Sequence, residues 1–129
     1  MWKLLPCLLI AAPALADGPV MIRTLPETET ETEIAGLAGP DNLRRFAIAN
    51  VAASNCPNDA QPGDAALIAS TGQQIATHMG LSTGQFAEDY LEPALQDFLA
   101  SPDGCARHRV GVQALAQDLK SRGGAVLSE

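Results

Sequence analysis

Apolar side chains recur at intervals of three and four residues in four separate runs along the chain from position 40 onward. Leu43, Phe46, Ala47 and Val51 make the first stripe, and Ile68, Gly72, Ile75 and Met79 the second. The third holds Ala87, Leu91, Ala94 or Leu95, and Phe98, and the fourth Val112, Leu115, Ala116 and Leu119. That spacing puts each set on one side of a helix. The residues between the runs agree. Asp41 and Asp64 stand where capping side chains belong, and Ser82 with Gln85 three positions later has the form of a capping box. Cys56-Pro57 closes the first run, Gly80 offers a left-handed residue after the second, and the "SRGG" of Ser121 to Gly124 stops the fourth. Ser101 followed by Pro102 matches a cap with proline in the first helical position. No segment alternates convincingly with period two, so no sheet is expected. The pattern predicts an all-α domain over 40–129, a small four-helix bundle. Its third helix should be kinked or broken near Pro93, because an interior proline removes one backbone bond and collides with the preceding turn.

Upstream the pattern changes. Residues 24–40, "TLPETETETEIAGLAGP", alternate Thr and Glu strictly from Thr28 to Glu33. As a strand this would set three threonines on one face and three glutamates on the other, with nothing apolar to bury and like charges adjacent. A disordered Thr/Glu-rich arm over 17–39 is therefore expected. Its functional rival is an acidic arm for a basic partner or a weak calcium site, and calcium needs oxygens converging in a turn.

The first residues, "MWKLLPCLLIAAPALADGPV", place Lys3 before an apolar run that ends in Ala14, Leu15 and Ala16. This is the layout of a secretory signal peptide over 1–16, cut before Asp17. Thirteen residues interrupted by Pro6 and Pro13 are too few for a spanning helix, which needs roughly 20. Cys7 lies inside the apolar run and leaves with it. Removing the first 16 of 129 residues leaves 113, the size of one small domain. Without Lys3, seven basic side chains face 15 acidic ones, a formal charge of −8. That balance argues against nucleic acid and against anionic lipid, both of which select clustered Lys and Arg. The partner class left is a protein of the cell envelope, with no membrane insertion after the signal is removed.

Two cysteines then remain in an oxidising compartment, and only one pairing exists: Cys56 with Cys105. Thiol chemistry is the alternative, since Cys105 sits at a helix start where the dipole stabilises a thiolate, with His108 one turn on. The redox pattern, however, needs two cysteines two residues apart. A zinc site drawn from Cys56, Cys105, His108 and His78 requires the cysteines to stay reduced. His78 beside Met79 suggests copper chemistry only weakly, and a helix C-terminus and an apolar stripe account for both. Glu88, Asp89 and Glu92 read as a solvated face. No nucleophile elbow, phosphate loop or basic aromatic patch is present, so no catalytic residues, no metal and no cofactor are expected.

A small all-helical chain with one disulfide of long separation resembles, over roughly residues 41–122, the acid-stress chaperones of the bacterial periplasm. The resemblance rests on cysteine separation and helix content and implies a secreted, periplasmic binding protein without catalytic activity, chaperone-like or docking on an envelope partner. A different reading is an inhibitor or immunity-type protein that blocks one secreted enzyme through the loop "PNDAQPGD", offering Asn58, Asp59, Gln61 and Asp64 beside the disulfide. A metal- or thiol-dependent activity is the third.

Overall fold

A computed structural model describes residues 20–22, 27–56, 59, 61 and 63–126. The expected signal peptide, 1–16, and the start of the expected arm lie outside the described residues. The elements in order are β1 (Val20–Ile22), α1 (Glu27–Leu37), α2 (Pro40–Asn55), α3 (Asp64–His78), α4 (Thr83–Phe86), a π-helical turn (Ala87–Leu91), α5 (Glu92–Ala100), α6 (Gly104–Ser121) and β2 (Gly124–Val126).

Helices α2, α3 and α6 pack on one another, with α4, the π turn and α5 forming the fourth arm of the bundle. Leu43, Phe46, Leu67, Ile68, Ile75, Leu115 and Leu119 are almost wholly removed from water. Each such side chain contributes roughly 1.5–3 kcal/mol of transfer free energy. Along α2 the inward stripe continues through Ala49, Ala52 and Ala53 toward Cys56, and Val51 lies at its margin, only half-buried. Small side chains there leave room for α3 and α6 on either side. Met79 is half-buried, and its sulfur accepts the Gly39 amide at 3.4 Å.

The helix starts differ from expectation in three places. Gly39 and Gly63 occupy the cap positions of α2 and α3, which puts Asp41 and Asp64 inside the first turn, and α6 is preceded by Asp103 rather than by Ser101. A carboxylate one or two residues inside still faces the positive end of the helix. The capping box of α4 forms as read: Ser82 Oγ accepts from the Gln85 amide at 3.0 Å, and Gln85 Oε1 accepts from the Ser82 amide at 2.8 Å. Gly80, at φ 85°, supplies the left-handed residue after α3.

Pro93 breaks nothing. The chain widens by a π turn just before it, and the Glu92 amide donates to the Ala87 carbonyl five residues back. The wider turn advances the inward face by one residue. Ala94 is therefore buried and Phe98 half-buried, whereas Pro93 and Leu95 face outward.

Two segments correct the sequence reading. Residues 27–37, expected to be disordered, form α1, because Ile34 and Leu37 lie one turn apart and both bury, at 5% and 3% exposure. Asn42 Nδ2 donates to the Leu37 carbonyl at 3.2 Å and closes the helix end. The absence of a sheet is corrected by a three-pair antiparallel ribbon, Val20 opposite Val126, Met21 opposite Ala125 and Ile22 opposite Gly124. Gly123, at φ 104°, turns the chain out of α6 into β2. Strands of three residues are too short to show an alternation, and the class remains all-α.

Candidate functional site

Cys56 ends α2 and Cys105 lies in the first turn of α6, and the two form a disulfide spanning 49 positions with Cα atoms 5.7 Å apart. Closing a loop of that length removes roughly 4 kcal/mol of chain entropy from the unfolded state. Asp59, three residues after Cys56, is fastened beside this bond. Asp59 donates its amide to the Cys56 carbonyl at 3.1 Å, accepts Gln113 Nε2 on its own carbonyl at 3.0 Å, and pairs through Oδ1 with Arg109 Nε at 3.1 Å. Both partners come from α6, about one and two turns after Cys105. Among the described residues, Cys56, Asp59 and Cys105 are the only group of three whose potential ligand atoms lie within 4.8 Å of one another. His108, half-buried, lines the same small cavity, with its ring 6.3 Å from that of Phe98. Its Nε2 is buried with no hydrogen-bond partner among the described residues.

The four residues proposed as an interaction loop are placed unequally. Asn58 lies outside the described residues, Asp59 is held as above, and Gln61 is exposed. Asp64 is not available to a partner: it is 3% exposed, Oδ2 accepts the Gln61 amide at 3.1 Å, and Lys120 Nζ approaches Oδ1 to 2.8 Å. That last approach is an ion contact whose angle does not make a hydrogen bond.

His78 belongs to a different part of the surface. Together with Glu31, Ile34, Gln73 and Thr77 it lines a groove of about 440 Å³ between α1 and α3, so the two histidines do not converge on one site. Beyond the end of this groove Arg122 binds two carboxylates, Glu33 Oε1 through Nη1 at 2.9 Å and Asp118 Oδ2 through Nε at 3.1 Å. The Glu33 hydrogen bond, with that of Asp118 behind it, raises the guanidinium pKa above its ordinary value. Glu88, Asp89 and Glu92 are exposed, as a solvated face requires.

Leu95, Leu99 and Val110 are large apolar side chains left in water at 36%, 65% and 75% exposure. Leu95 and Leu99 stand one turn apart on α5. Among the described residues no helix is long and apolar enough to cross a membrane. No protein-family model, no curated protein and no solved structure matches the chain.

Sequence reasoning missed Arg109, Gln113, Lys120 and Arg122. A signal existed for the first two, which lie four and eight residues after Cys105 on the side of α6 that carries the disulfide. Lys120 gave none, because its partner Asp64 is far away in the chain, and Arg122 gave only its pairing with Asp118 four residues before it, not the one with Glu33.

Proposed function

We propose that this chain is a small binding protein of the cell envelope, secreted with removal of residues 1–16, which holds apolar segments of unfolded proteins and performs no catalysis. The observation that carries the reading is the set of large apolar side chains exposed on α5 and α6, Leu95, Leu99 and Val110, the large exposed apolar groups among the described residues of a strongly acidic chain. Isolated exposed leucines are common, but a pair one turn apart on a helix joined through a π turn offers a surface that enlarges if α5 moves.

Acid is the condition under which it would enlarge. Between neutrality and about pH 2 the carboxylates take up protons and the histidines charge, given ordinary values near 4 and 6.5. The secreted chain then passes from −8 to about +9, with 15 acids neutral and seven Lys and Arg joined by two His. The raised pKa of Arg122 gives its pairs full strength at any pH below the ordinary guanidinium value, and they weaken by this group only in strong alkali. Of the two pairs, the one with Glu33 ties α1 to the end of α6, and the one with Asp118 lies within α6. The disulfide keeps α2 and α6 tethered meanwhile.

A second reading is favoured by one observation, the fastening of Asp59 by Arg109 and Gln113. A loop pre-set in this way suits an inhibitor that blocks one secreted enzyme. Dye binding to apolar surface and suppression of scattering by an acid-denatured client, at pH 2 to 3 and at pH 7, separate the two. The chaperone reading expects both signals in acid. A dye-silent protein that protects no client there refutes it.

A further inference from the structure

We infer that once the Cys56–Cys105 disulfide is reduced, the same corner becomes a binding site for a thiophilic divalent cation of the zinc type, held by Cys56, Cys105, Asp59 and His108. Three observations converge on it. The two sulfurs and a carboxylate oxygen of Asp59 already lie within 4.8 Å of one another. A tetrahedron with Zn–S bonds of about 2.3 Å has edges of about 3.8 Å, so the freed sulfurs must separate, and His108, whose ring nitrogens lie outside that group of three, must turn toward them, by rotation about side-chain bonds. The backbone pattern is that of two chelating arms, Cys56-x-x-Asp59 leaving α2 and Cys105-x-x-His108 in α6. Finally, the buried Nε2 of His108 has no partner among the described residues and its ring lines the cavity that holds the other three.

The surroundings suit the charge. Two thiolates and one carboxylate against a divalent cation leave one negative charge, and Arg109 on Asp59 Oδ1 offsets it while leaving the other carboxylate oxygen to ligate. Cys105 has the positive end of α6 to stabilise its thiolate. A small-molecule dithiol or phosphine supplies the two electrons and is oxidised; the S–S bond breaks to give two thiols, and the cation displaces one proton from each as it binds. Metal and disulfide are then alternative closures of one loop, and the reduced chain regains its staple.

The probe is Co²⁺ alone, added without oxygen to protein reduced by a phosphine and freed of it, with helicity followed by far-ultraviolet circular dichroism. One equivalent should give thiolate-to-cobalt absorption and visible bands of tetrahedral intensity, and raise the melting temperature of reduced protein, whereas oxidised protein shows neither. Asp59→Asn and His108→Ala should each weaken Co²⁺ at least about 10-fold, and Cys105→Ser should halve the thiolate band or abolish it. If reduction unfolds the chain, Co²⁺ should restore the helix. Reduced protein that neither absorbs nor refolds with Co²⁺ overturns the site, as do Asp59→Asn and His108→Ala variants that bind like the parent.

Discussion

Substituting methionine for Lys120 removes the cation nearest to a carboxylate that the fold has taken almost wholly out of water. Asp64 is 3% exposed, and Lys120 Nζ lies 2.8 Å from its Oδ1. Leaving a fully buried charge without its partner costs about 3–5 kcal/mol. Two features reduce that figure here. The Lys120 side chain is 36% exposed, so water already screens part of the attraction. Asp64 also keeps the Gln61 amide and the positive end of α3. The expected loss is about 2 kcal/mol, or a fall of roughly 10 °C in Tm for a domain of this size. Asp64→Asn should cost only about 1 kcal/mol, because a half-exposed ammonium can swing into water whereas a buried carboxylate cannot. Urea unfolding at pH 7 of the parent, both single variants and the double variant measures the asymmetry and a coupling of about 1 kcal/mol. Equal losses for the two single variants, or no loss for Lys120→Met, would refute the placement of Asp64 as a buried anion.

Gly104→Ala sets a Cβ 2.8 Å from Phe98 Cε1, so the ring must shift; a loss of about 1–2 kcal/mol in thermal unfolding is expected, the better helix propensity of alanine notwithstanding. Ser82→Ala removes one half of the capping box and should lower stability by about 1 kcal/mol in the same assay. Arg122→Gln leaves Glu33 and Asp118 without their cation, and amide hydrogen exchange should quicken across 30–37 while α3 is unchanged. Unaltered exchange in α1 would mean that Ile34 and Leu37 alone hold it.

Where local signals agree with the fold, they were readable before it. The capping box at Ser82, the left-handed Gly80, the end of α2 at Cys56 and the inward stripe of α6 each depend on residues within one or two helical turns. The pairing of Cys56 with Cys105 followed from counting, since the signal-peptide reading left no other partner. Pro93 shows the boundary. Proline chemistry requires that a backbone bond be lost there, but two remedies exist, a break and a wider turn, and the choice lies in whether Ala94 or Leu95 packs on α2.

The Thr-Glu segment marks the other limit. Its residues carry a period of two and only two large apolar side chains at one end, which by themselves cannot offset the entropy of ordering eleven residues. Helix α1 forms because α3 supplies a surface for Ile34 and Leu37 and because Arg122, 89 positions away, supplies a cation for Glu33. The same holds for the burial of Asp64, which needs Lys120, and for the gathering of Asp59, His108 and the two cysteines, which needs α2 to end beside the start of α6. Sequence periodicity determines helices because a helix's neighbours are three and four residues away. Contacts between residues 49 to 89 positions apart are decided by how those helices pack, and the disulfide, the fastening of Asp59 and the pairing of Arg122 with Glu33 are of that kind.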